Sequence, residues 1–154
     1  WPNDVWIEAS KLAGILVELA NHGSSTVAVI GVGLNVALTP EERAGVDQPI
    51  IDLRSRGVIL DRNRLLMLFV RKIVGYLEHF EQSGFAAFRS AFDAVHLLHQ
   101  RDVVVHPASA SATTPKRGRV VGVGNSGQLR IETAKGVEDL LGGEVSLRPA
   151  ENSE

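Results

Sequence analysis

The chain has 154 residues, 44% of them hydrophobic and 22% charged, with 16 Lys plus Arg against 18 Asp plus Glu and no cysteine. This composition sits near the globular average and argues against wholesale disorder, and a formal charge of −2 lacks the basic excess of a dedicated nucleic-acid binder. The missing cysteines exclude a disulfide framework, a thiolate zinc site and a Cys nucleophile, and leave the cytoplasm as the default compartment.

The sequence opens on Trp1 and its single methionine is Met67, so it reads as part of a longer protein. No apolar run approaches the roughly 20 residues of a membrane span. Residues 11–19 (KLAGILVEL) and 26–37 (TVAVIGVGLNVA) are aliphatic, β-branched runs separated by a polar Asn-His-Gly-Ser-Ser turn. They predict two neighbouring buried strands, and their continuous apolar character predicts a sheet covered on its second face. From Asp61, Leu65, Leu66, Phe69, Val70, Ile73, Leu77 and Phe80 recur at helical spacing, with Asp61 as N-cap and Gly84 as stop. A shorter helical pattern, Phe85, Phe88, Phe92 and Val95, follows to about Leu98, and both helices are expected to pack on the sheet. After residue 100 the texture becomes short strand-like segments, 103–106, 119–123, 128–133 and 145–148, punctuated by Pro and Gly. They predict a small all-β barrel or sandwich, a domain boundary near residue 100 and a frayed tail at 150–154.

Several motifs carry two readings. Gly122, Gly124 and Gly127 match G-x-G-x-x-G, but a strand-like QLRI follows where a dinucleotide site needs a helix, so the run is read as a hairpin. Gly31 and Gly33 interrupt an otherwise strong strand, which fits either a fold requirement or a ligand lying close to the backbone. Asn35 directly after them offers a donor and an acceptor together, suited to the edge of an adenine. By position alone Lys11 is a solvated strand-end lysine, and Asn3-Asp4 is a plain turn. His96 and His99 share one helix face without a third ligand, which is weak support for a metal. The run Lys116-Arg117-Gly118-Arg119 is basic but short, and reads as a solvated hairpin.

Taken together, Trp1-Pro2-Asn3-Asp4, then KLAGILVE from Lys11, then Gly31-Val32-Gly33-Leu34-Asn35-Val36 resemble the biotin protein ligase family in order and spacing. The resemblance extends to Leu60-Asp61-Arg62-Asn63, Phe80-Glu81-Gln82-Ser83-Gly84 and the GGEVSLR run ending at Arg148, and so covers nearly the whole chain. It implies an α+β fold: at 1–100 the second half of a mixed-sheet catalytic domain of the biotin/lipoate-ligase type, and at 101–149 an SH3-like β-barrel. It implies a ligase that joins biotin to ATP, giving biotinyl-5′-adenylate and pyrophosphate with magnesium accompanying the nucleotide. Biotin then passes to a lysine of the biotin carboxyl carrier domain of acetyl-CoA carboxylase.

Carried over residue by residue, Lys11 would meet the biotin carboxylate and the α-phosphate, where a fixed ammonium stabilises the crowded negative charge of both steps. Gly14 and Leu16 would line biotin, Gly31 and Gly33 would let the ligand approach, and Asn35 would contact adenine. Asn3 and Asp4 would lie near the adenylate, with Asp4 orienting the phosphates or meeting magnesium, and Arg148 would reach the nucleotide phosphates. The family's Gly- and Arg-rich loop and the first half of its sheet fall before Trp1, so the chain alone is expected to be inactive or weak. Neither membrane nor nucleic acid is expected as a partner of this part, whereas a homodimer would accord with the family. The rival readings are a non-catalytic module that binds a carrier or a subunit, and a ligase of the lipoate-attaching class.

Overall fold

The computed structural model describes residues 2–107, 115–140 and the backbone of 145–149. Two compact units emerge, Asn3–Arg62 and a second made of Trp1–Pro2 and Asn63–Glu154. They meet at residue 62, whereas the sequence texture placed a boundary near 100. The reason is that Phe85, Phe92 and Leu98, from the helical stretch, pack against the core of the C-terminal sheet.

In the first unit β1 (Asp4–Ile7), β2 (Ser10–His22) and β3 (Ser25–Leu34) form an antiparallel sheet in that order. The predicted polar turn shrinks to two residues, Gly23 and Ser24, since His22 pairs with Ser25. Gly23, at φ 62°, supplies the positive φ that a tight hairpin needs at its first central position. A short helix α1 (Pro40–Ala44) follows, begun by a capping box in which Thr39 and Glu42 bond each other's backbone. A single 3₁₀ turn, Arg54–Arg56, closes the unit.

The expected burial of this sheet is not what the structure contains. Leu16, Val17, Leu19, Val27, Val29 and Ile30 are all exposed, Leu19 to 73%. Only Leu12, Ala13 and Asp52 of this unit are buried. The helix meant as cover, α2 (Arg62–Ser83), forms as the periodicity predicts, and Gly84 ends it at φ 64°. None of its residues is buried, however, and Met67, Leu66 and Tyr76 are among its most exposed. Apolar character fixed the conformation of these segments without supplying a buried partner among the described residues.

In the second unit, a 3₁₀ turn at Phe85–Phe88 and helix α3 (Arg89–Val95) replace the single helix expected to about residue 98. Phe88 makes edge contacts with Tyr76 and His79 of α2. The strands are β4 (Asp102–Pro107), β5 (Lys116–Val123), β6 (Leu129–Thr133), β7 (Gly136–Leu140) and β8 (Val145–Pro149), in the sheet order β7-β6-β5-β4-β8. The fold is therefore α+β with two antiparallel sheets. The expected closed barrel is an open order here, with no β7–β8 pairing among the described residues.

Core side chains alternate along β4 (Val103, Val105) and β6 (Leu129, Ile131), as a half-buried sheet requires. On β5 the buried pair is Val120 and Val123, three apart, because the register with β6 shifts between Val120 and Gly122. The bulge resets the alternation and places both valines inward. Strand β7 escaped the sequence reading because Glu138 and Asp139 interrupt its apolar pattern, yet they pair with Lys116 of β5 and Arg130 of β6.

Leu129 is fully buried in the six-residue core. Leu129→Ala is expected to destabilise the second unit by about 2–5 kcal/mol, the usual cost of a large-to-small core substitution. Denaturant unfolding measures it, and a change under about 0.5 kcal/mol would contradict this assignment of the core.

Candidate functional site

The site is built on a defect in β2. The β1–β2 register runs Asp4↔Gly14 and Val5↔Ala13, then jumps to Trp6↔Lys11, leaving Leu12 without a partner on β1. In an unbroken strand Lys11 and Gly14, three apart, would face opposite sides. The bulge reverses the alternation and brings both to one face. Accordingly a Cβ built on Gly14 would lie 3.6 Å from Lys11 Nζ and 3.8 Å from Asp4 Oδ1.

On that face Lys11 Nζ meets Asp4 Oδ1 at 2.7 Å. Across the β2–β3 ladder Gly14 pairs with Gly33 and Leu16 with Gly31. These four residues share the face, since directly opposed residues and alternate positions point the same way. Gly33 has no atom within 4 Å of where its Cβ would be, and Gly31 meets only Leu16 at 3.8 Å or more. Neither glycine has positive φ, so neither the backbone nor packing among the described residues calls for one. The result is a floor of bare backbone beside an ammonium.

Asn35 takes a role that the sequence did not disclose. Its Nδ2 donates to the carbonyls of Lys11 at 3.3 Å and Ile51 at 3.1 Å, and its backbone N–H donates to Leu12 O at 3.0 Å. Both amide hydrogens are thereby spent on the protein, and only Oδ1 is left to face a ligand. Asn3 uses its carbonyl to accept the Ile15 N–H at 2.7 Å. Arg148 belongs to β8 in the other unit, where its backbone pairs with Val104, and its side chain lies outside the described residues.

Sequence reasoning also missed the anchor behind Lys11. Residues Pro49 to Ile51 run parallel to Lys11, with Lys11 N–H donating to Pro49 O at 2.9 Å and Ile51 N–H to Lys11 O at 3.0 Å. The next residue, Asp52, is the one buried charged side chain among the described residues. It accepts from the N–H groups of Ser55 at 2.7 Å and Leu38 at 3.2 Å and forms an ion pair with Arg43. The Ser55 N–H, more than any other partner, holds its carboxyl below the usual 3.8, helped by Leu38 and Arg43, while burial pushes the other way. The available signal was Thr39-Pro40-Glu41-Glu42, a capping box with Pro in the first turn.

The remaining motifs are structural. A Cβ at Gly124 would overlap the Gln128 amide, and Gly122, at φ 126°, lies against the Asp93 carboxylate, which accepts the Val123 N–H at 3.1 Å. The G-x-G-x-x-G run is thus a filled turn. Lys116 and Arg119 are paired with Glu138 and Asp102. Among the described residues no group of three or more His, Asp or Glu side chains is placed to hold a metal ion.

The class follows from comparison of this sheet and site with known proteins. Residues 1–35 match the model of the Biotin/lipoate A/B protein ligase family. Over 152 residues the chain is 36% identical to the bifunctional ligase/repressor BirA of Escherichia coli, covering 98% of this chain and 46% of BirA. It is 28% identical over 149 residues to the biotin–[acetyl-CoA-carboxylase] ligase of Paracoccus denitrificans, covering 94% of this chain and 60% of that protein. The apo structure of biotin protein ligase from Aquifex aeolicus superimposes with a TM-score of 0.81 at 27% identity, over 97% of this chain and 64% of that one. The same enzyme in complex with biotin and ATP gives 0.78 at 26% identity, over 97% of this chain and 61% of that one. The chain spans about half the length of the curated relatives it matches. Over nearly its whole length the chain is thus similar to biotin protein ligases.

A carboxyl held below its unfolded value stabilises the fold above that value, and the contribution is lost as pH falls through the folded pKa. Asp52 therefore contributes fully above the ordinary carboxylate range, and the loss begins below about 3.8. Asp52→Asn is expected to lower stability at pH 7 by about 1–3 kcal/mol, the cost of unsatisfied buried hydrogen bonds. It should also flatten the acid limb of stability against pH. Denaturation curves from pH 7 to 3 give both, and a variant with the parent's acid limb would refute the role of Asp52.

Proposed function

We propose that the chain forms part of a biotin protein ligase that activates biotin with ATP to biotinyl-5′-adenylate and then transfers it to a lysine of a biotin carboxyl carrier protein. The observation that carries this reading is the glycine floor. Gly14, Gly31 and Gly33 leave backbone bare beside Lys11, and among the described residues no packing or φ requirement accounts for Gly31 and Gly33. A ligand lying along the strands accounts for them. The names of the relatives, and the biotin and ATP bound in the Aquifex complex, support that ligand's identity.

In this reading Lys11 draws together the biotin carboxylate and the α-phosphate. Attack of the carboxylate oxygen on that phosphorus forms the new P–O bond and expels pyrophosphate. Negative charge gathers at one centre as this happens, and a pre-placed ammonium favours the transition state over the separated anions. Asp4 holds the ammonium over Gly14 before the ligand arrives. Gly14 and Leu16 flank biotin, Asn3 lies by the adenylate, Asn35 offers Oδ1 to the adenine amino group, and Arg148 serves the phosphates.

Magnesium is usually held by one or two carboxylates, with phosphates and water completing its shell. Asp4 is the carboxylate of this site that suits it, once released from Lys11, and the ion would neutralise phosphate charge. Residues 1–100 would supply the second half of the catalytic domain and 101–149 a small all-β module, acting in the cytoplasm on the carrier of acetyl-CoA carboxylase. Alone, the chain would turn over weakly. Leu16 and the strands beside it are exposed, so water reaches an intermediate that ligases must shield.

Adenylate formation from biotin and labelled ATP tests the reading. Signal is expected to fall by about 10²–10³ in Lys11→Ala, the range for loss of one transition-state charge contact, and to be competed by unlabelled biotin in preference to lipoate. Biotin binding without Lys11-dependent adenylate would favour a non-catalytic module, and preference for lipoate would favour the lipoate-attaching class. A second test separates ligand from fold: Gly33→Ala is expected to keep or raise stability by up to about 1 kcal/mol while weakening biotin binding about tenfold. Loss of stability with binding intact would return Gly33 to a structural role.

A further inference from the structure

Within the second unit, residues 96–101 link α3 to β4, and this link is stitched to the sheet at Val120. Gln100 N–H donates to Val120 O at 2.9 Å and Val120 N–H donates to Arg101 O at 2.9 Å, while Leu98 packs against the core that contains Val120. Gln100 holds φ at 60°, a left-handed conformation that a non-glycine residue keeps only while its surroundings enforce it. Two histidines lead into this strained residue. His96 follows the end of α3 with its ring 5.3 Å from that of Phe92, which itself packs on the core, and His99 N–H donates to His96 O at 3.0 Å. The Nδ1 atoms of both rings are buried, and that of His99 has no hydrogen-bond partner among the described residues.

We propose that residues 96–101 form an acid-sensitive joint, in which protonation of the His96–His99 pair releases Gln100 from its left-handed conformation and detaches the link from Val120 while the rest of the sheet stays folded. This device belongs to the second unit alone and does not depend on the ligase reading. Its physical basis is that a buried imidazole takes up a proton at a cost unless an anion or an acceptor meets the new charge. Burial, above all, holds His96 below the usual 6.5; the Asp93 carboxylate works the other way, and the neighbouring His99 opposes the proton again. Asp93 is already committed, because it accepts the Val123 N–H at 3.1 Å, lies against Gly122 and faces Arg89 at 4.0 Å. Of the other charges on the elements packed there, Lys116 and Arg119 of β5 are taken up by Glu138 and Asp102. Arg101 and Arg117 add only positive charge, and the turn Phe85–Phe88 carries none. A histidine held low contributes its stability above its unfolded value and loses it as pH falls through the folded one, so the joint is closed above 6.5 and opens on acidification.

The test is native-state amide exchange at about pH 7.5 and about pH 5.5, corrected for the intrinsic rate, on this chain and its His96→Phe variant. Protection of the Gln100 and Val120 N–H groups is expected to fall about threefold or more on acidification relative to the N–H groups of β6. The fall should be largely absent in His96→Phe, which keeps a ring beside Phe92 and cannot titrate. Flat protection in the parent overturns the proposal. An equal fall along β6 would mean a general loss of stability, and an equal fall in His96→Phe would assign the effect to other groups; each overturns it as well. Should the variant fail to fold, the imidazole titration of the parent decides. His96 is then expected to titrate below 6.5 in step with a shift of the Gln100 amide resonance, and a midpoint at or above 6.5, or an amide that does not follow it, overturns the inference.

Discussion

Everything on the face that joins Lys11 to the glycines depends on one skipped residue. Without the bulge at Leu12, Lys11 would project from the side opposite Gly14 and Gly33, and the ammonium and the bare backbone would never meet. Such a defect costs ladder hydrogen bonds, and the protein replaces them from outside the strand, with Asn35 and residues 49–51. Those segments are in turn tied down by Asp52, whose carboxylate gathers the N–H groups of Leu38 and Ser55. The order of dependence runs from a buried carboxylate to a loop, from the loop to a strand defect, and from the defect to a lysine.

The two units are stabilised differently. In the second, six fully or nearly fully buried aliphatic side chains form a core to which the helical stretch adds Phe85, Phe92 and Leu98. In the first, burial stops at Leu12, Ala13 and Asp52, and order comes from a long antiparallel ladder and polar anchors. Because hydrophobic stabilisation scales with apolar area removed from water, the first unit derives little from it. A second bulge, on β5, makes the contrast plain. There the shift turns Val120 and Val123 into the core and leaves Gly122 against Asp93, whereas on β2 it turns Lys11 toward an open face.

What the sequence disclosed follows the same division. Periodicity located α2, and β-branched runs located β2, β3 and most strands of the second sheet, because these signals are local. Burial of β2 and β3 was misread, since continuous apolar character reports what a strand could bury and not what lies on it. Strand β7 was overlooked because Glu138 and Asp139 obscure its pattern, and their partners Lys116 and Arg130 are distant in sequence. At the site, Lys11, Asp4 and the glycines were legible as motifs. The bulge that unites them was not, because register is a relation between strands. Asn35 shows the limit most clearly: its amide suits adenine and suits two carbonyls equally, and only the fold shows that two carbonyls hold its donors.

The Asp4–Lys11 pair adds a constraint of its own. Before any ligand arrives, the ammonium is already compensated by a carboxylate at 2.7 Å, so an incoming anion gains from Lys11 only what Asp4 gives up. In the ground state that exchange is nearly even, one oxygen anion replacing another at similar distance. It becomes favourable where two anionic groups converge and the charge at the shared centre exceeds what either brings alone, which is the situation of a carboxylate closing on a phosphate. A lysine so compensated discriminates between bound reactants and their transition state better than a bare one, because its interaction with the ground state is offset in advance. On the proposed function the same geometry accounts for the bare backbone at Gly14 and Gly33: the exchange would happen against the strand, within reach of the ammonium of Lys11, whose backbone carbonyl accepts from Asn35 and Ile51.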